Sequence, residues 1–125
     1  MKFAKILFYI AAIWGILVIT PLFFIFDKIG VQDPPAITHP LFFYGFAGVT
    51  LAWQFVFLVI ARNPARYRPL MLVSILEKLG YFLPALILYS QHRIHPADLF
   101  LSSGDALLAI LFLIAYLNTP SSHDS

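Results

Sequence analysis

The sequence predicts an all-α integral membrane protein: a four-helix transmembrane bundle, up-down-up-down, with short loops. Three observations predict it. The 125 residues are 61% hydrophobic and only 11% charged, with a mean hydropathy of +0.86; an ordinary soluble domain carries about 25% charged residues. The apolar residues gather into four runs, each close to the ~20 residues a helix needs to cross a ~30 Å hydrocarbon core. Short, proline-bearing polar segments separate the runs, and the period-2 alternation of a lipid-facing strand is absent.

The first run, 6–26, holds no charge and follows Lys2 and Lys5. It is long for the apolar part of a signal peptide and ends in TPLFFIF without a small-x-small cleavage site, so it reads as a retained span. DKIGVQDPPAITHP joins it to the second run, 41–61, and Pro34-Pro35 stiffens that connection. Pro40 suits the first turn of the second helix, with Tyr44 near the interface. RNPARYRP leads to the third run, 70–89, and SQHRIHPAD to the fourth, 99–117. The tail from Asn118 reads as a frayed polar end. One transmembrane domain accounts for the whole sequence.

Orientation follows from the basic residues. Lys2, Lys5, Arg62, Arg66 and Arg68 fall on one side, and only Lys28 and Arg93 on the other. The excess places both termini and the RNPARYRP loop in the cytoplasm. The same topology explains the net charge of +2 better than nucleic-acid binding does. Arg62, Arg66 and Arg68 then form a candidate contact for anionic lipid headgroups or a partner protein.

Glu77 and Lys78 stand inside the third run and Asp105 inside the fourth. Each charge at a helix centre costs roughly 2.5–3.5 kcal/mol on insertion scales, so each must be matched or used. Counting along antiparallel helices puts Gln54 level with Glu77, with Trp14 and Trp53 in a similar layer. Ser74, Glu77 and Tyr81 share a face at i, i+3, i+7, with Lys78 at its border. Gly80 allows close approach of a neighbouring helix, and Pro84 marks a kink. Lys78 is expected to snorkel to the cytoplasmic surface, and Glu77 to lean towards the arginine loop. Asp105 is expected about 7–8 Å further out, in a helix-start role if the fourth helix begins near Ser102. Gln54, Glu77, Lys78, Tyr81 and Asp105 are therefore the candidate pocket residues. The competing reading is a polar pin that fixes helix register.

No metal centre or cofactor is expected. The chain has no cysteine, and none of its four histidines lies inside a span. His92 and His95, with His39 and Asp98 on the same side, read as interfacial residues, since a metal needs three or four convergent ligands. Ala11 and Gly15 in the first span, and Gly45, Gly48 and Ala52 in the second, stand at packing-seam spacing, within the chain or between copies.

PPAITHPLFFYGF, LAWQ, and NPARYRPLML with SILEK, interrupted here by Val73, resemble stretches of small, uncharacterised bacterial inner-membrane proteins of four spans, which are broadly similar to the DoxX-like group. The first span departs from the DoxX pattern in having no arginine, and no lysine after Lys5. The resemblance implies four spans in a bacterial cytoplasmic membrane and carries over no catalytic residue. The function expected from the sequence is a small non-enzymatic membrane protein: an accessory or assembly subunit, or a lipid-contacting module. A homo-oligomer fits the same reading. The alternatives are a lipid, quinone or small-molecule binding or transport unit around Glu77, and a membrane enzyme on a lipophilic substrate with Glu77 as acid/base.

Overall fold

A computed structural model describes residues 2–32 and 38–120. The Pro34-Pro35 stiffener and the tail beyond Pro120 lie outside the described residues. Helix α1 spans Lys2–Ile19 and tightens into a 3-10 turn at Thr20–Phe23. Pro21 explains the change, because it has no N–H to donate to the helical ladder. A short helix α2, Phe26–Gln32, follows where the sequence suggests only a loop. Phe26 is anchored there by ring contacts with Phe43 (5.1 Å) and Tyr44 (5.4 Å). Three long helices complete the fold: α3 (Pro40–Arg62), α4 (Arg68–Ser90) and α5 (Pro96–Asn118). Each carries a proline in its first turn, where a missing N–H costs nothing. Pro84 sits inside α4, which stays helical through it.

The four long helices are each long and apolar enough to cross a membrane. They pack in the cyclic order α1, α3, α4, α5. The α1–α3 and α4–α5 seams are extensive, and the α3–α4 seam is the thinnest.

The main core cluster gathers at one end of this bundle. Ala4, Phe8 and Ala12 of α1, Phe57 and Ala61 of α3, Met71 of α4, and Phe112 and Ala115 of α5 are all buried there. Phe8 stacks on Phe112 at 4.3 Å, and Phe57 meets both rings edge-on. Alanines between the rings let the backbones approach, which matters in lipid because tight packing replaces the hydrophobic drive. The other end is looser: no residue of α4 beyond Lys78 is buried. Trp14 is 63% exposed on the outer face of α1, and Trp53 is half-buried against Phe57.

Buried hydroxyls are satisfied on their own helices. Ser74 donates to the Leu70 carbonyl (2.8 Å), Ser102 to Leu99 (2.9 Å) and Thr119 to Ala115 (2.7 Å). Back-bonding of this kind removes the cost of a hydroxyl in hydrocarbon. Gln54 Nε2 likewise donates to the Thr50 carbonyl at 2.8 Å, but its Oε1 is buried without a hydrogen bond. The carboxamide lies over Gly15 of α1, where any Cβ would overlap it.

Gly15→Ala is therefore expected to destabilise the bundle by about 1–3 kcal/mol, the usual cost of overpacking. Adding Gln54→Ala should recover part of that loss, as a thermal-unfolding double-mutant cycle in detergent would measure. Simple additivity would sink the proposed overlap.

Candidate functional site

Helix α4 turns Met71, Ser74 and Lys78 inward, which leaves Glu77 at the edge of that face. The two charges thus exchange the places expected of them. The spacing i, i+3, i+7 fits residues 71, 74 and 78 as well as 74, 77 and 81, and packing against α5 selects the former. Lys78 does not snorkel. Only 5% exposed, it holds its ammonium 3.4 Å from Asp105 Oδ1 and 3.5 Å from Glu77 Oε2. The Phe57 ring of α3 lies 5.1 Å from the same nitrogen.

Asp105 is not a helix-start residue. Helix α5 begins at Pro96, so Asp105 stands more than two turns inside it. The flexible lysine stem spans the axial offset that separates the two acids in a residue count. Glu77 makes its ion pair with Lys78, not with the arginine loop. Its side chain is 13% exposed, that of Asp105 27%. With both carboxylates ionised, the triad carries one surplus negative charge. Glu77 Oε2 has no hydrogen bond, its contact to Lys78 being electrostatic only.

The other candidate residues do not all join this triad. Gln54 belongs to the α1–α3 seam described above. Tyr81 is 46% exposed and stacks on Phe46 of α3 at 5.5 Å, bridging the thin α3–α4 seam. Gly80 admits no neighbouring helix, since nothing lies within 4 Å of where its Cβ would stand. Arg62 is exposed, and Arg66 lies 5.6 Å from the Tyr67 ring. Arg68 instead donates from Nε to the Tyr116 carbonyl (3.2 Å) and covers the Tyr116 ring at 3.8 Å. A cation there meets the negative end of α5. His39 stacks on Phe42. Among the described residues no group of three metal-binding side chains converges.

Outward of the triad is a feature the sequence analysis missed. Gly80, Tyr81, Pro84, Ala85 and Leu88 of α4, Ile94 of the connecting turn and Asp98 of α5 line a half-open groove of about 310 Å³. The turn that places Ile94 there closes tightly. His92 takes a left-handed conformation (φ 58°), and the Arg93 N–H reaches back to the Leu88 carbonyl at 2.9 Å. Two signals lay in the sequence: the seven-residue interval from Asp98 to Asp105, which sets both on one face of α5, and the Gly80–Pro84 step opposite.

No family model, curated protein or solved structure matches the chain.

Removing the ammonium should be far worse than removing one acid. Lys78→Met leaves carboxylates unpaired in the bundle and is expected to cost about 3–5 kcal/mol. Asp105→Asn leaves a balanced pair and should hold or raise the thermal midpoint in mild detergent. Equal losses from the two substitutions would rule out a surplus negative charge at the triad.

Proposed function

We propose that this chain is a membrane-embedded binding unit that takes a small amphiphile from the bilayer into the α4–α5 groove. The observation that carries this reading is the groove's position. It lies between α4 and the start of α5 in the loosely packed half of the bundle, beyond an ion triad with more acid than base. A structural pin gains nothing from a second carboxylate, whereas a ligand site can use one. The volume falls at the lower end of the usual range for small-molecule sites, and Pro84, Ala85, Leu88 and Ile94 give it an apolar wall.

The unit is placed in a bacterial cytoplasmic membrane with both termini inside. The excess of lysine and arginine at the end that holds the termini and residues 63–67 supports that orientation. Arg62 and Arg66, exposed at that end, suit anionic headgroups.

A second reading, an accessory or assembly subunit, is favoured by one observation. Gly45 and Gly48 of α3 face outward with open space around them, and Ala52 is exposed beside them. Such a stripe fits a partner helix or a second copy.

Gly80→Leu tests the first reading, because Gly80 lines the groove and a Cβ there would meet nothing within 4 Å. It should abolish binding of a decyl-chain amphiphile in nanodiscs while the protein keeps its thermal midpoint; retained binding would defeat the groove. Topology can be read independently, since the chain has no cysteine of its own. An impermeant maleimide should label Gln91→Cys in intact cells and Ala65→Cys only after permeabilisation; the reverse pattern would invert the orientation.

A further inference from the structure

We infer that the groove selects a lipophilic cation: an ammonium group, protonated or quaternary, carried on a single apolar chain. The inference rests on the binding role proposed above and adds the chemistry of the ligand.

Two side chains with polar groups line the groove, Tyr81 and Asp98, and of these Asp98 carries a charge. Pro84, Ala85, Leu88 and Ile94 supply an apolar wall. Asp98 stands at the outer mouth, and its carboxylate has no ion pair among the described residues. Asp105 lies two turns deeper on the same face of α5. The cation nearest to it, Lys78, is already committed to two acids and screened by Phe57. Arg93, in the turn above, is exposed and directs Nη1 to Gln91 Oε1. With these groups ionised, Glu77, Asp98 and Asp105 against Lys78 and Arg93 leave the surroundings a net negative charge.

That charge decides among ligands of equal tail. An anionic headgroup would face Asp98, the charged side chain of the groove's lining. A neutral headgroup would find the apolar wall but leave the acids unanswered. An ammonium group answers them in a medium where charge attraction is much stronger than in water, and the half-exposed Tyr81 ring adds a face for it. A zwitterionic phospholipid is a poorer fit. Its phosphate would approach the same carboxylates, and a groove of this volume has room for one chain rather than two.

The test compares three probes of identical tail: ω-trifluorinated decyltrimethylammonium, decanol and decyl sulfate, each below its micelle-forming concentration. Binding is read by fluorine NMR line broadening in phosphatidylcholine nanodiscs carrying the full chain, against empty nanodiscs. The ammonium probe should bind at least about tenfold more tightly than the other two, and Asp98→Asn should remove most of that preference. Asp27→Asn, an exposed acid at the start of α2, should leave it intact. Equal binding of all three probes, or a preference that survives Asp98→Asn, overturns the cation assignment while leaving the groove in place. No binding of any probe overturns the groove itself, and the inference with it.

Discussion

The ammonium of Lys78, shared between Glu77 and Asp105, is the interaction on which the rest of the arrangement turns. In hydrocarbon there is no water to replace a lost partner, so the helices that carry these groups must stay together. The shared ion couples α4 to α5 along their extensive seam, and the Phe57 ring brings α3 to the same point. It also marks a boundary. On one side lie the stacked rings of Phe8, Phe57 and Phe112; on the other, α4 has no buried residue left. Packing holds the first half together, and the second half is left open enough to contain a groove.

Among the described residues, two buried side-chain acceptors lack hydrogen bonds, and they have different meanings. Gln54 Oε1 sits in a sealed seam, pressed over Gly15, where its carboxamide fills the space that a missing side chain leaves. Its role is shape. Glu77 Oε2 sits at the edge of a charged group, one helical turn from Gly80 and Tyr81 of the groove. Equal burial statistics would class them together; their surroundings separate a packing element from a group able to meet a ligand.

How much of this was legible in the sequence follows from what each inference depends on. The four helices were, because length and hydropathy decide them: runs 41–61, 70–89 and 99–117 all lie inside α3, α4 and α5. The first run was placed less well, since Pro21 ends regular helix before the apolar stretch ends. Glu77, Lys78 and Asp105 could be singled out as costly, but not joined. Joining them needs the rotation of α4 and the true start of α5, and neither is written in a hydropathy pattern. A lysine in the first half of a span satisfies snorkelling and burial equally until a partner is placed beside it. The groove was harder still, because Gly80, Ala85 and Ile94 carry no chemical signal and matter only for the space they leave.

The order of the charges along the chain bears on how the protein is made. Glu77 and Lys78 are adjacent, so α4 reaches the bilayer with opposite charges already side by side. It can enter as a nearly neutral segment before anything follows it. Asp105 comes later, on a helix that has no basic residue of its own. For α5 the waiting ammonium is the nearest compensation, and the short turn at 91–95 keeps it close from the moment of entry. Synthesis therefore delivers the salt bridge before it delivers the surplus acid, and the last helix completes a site that the third has made safe for it.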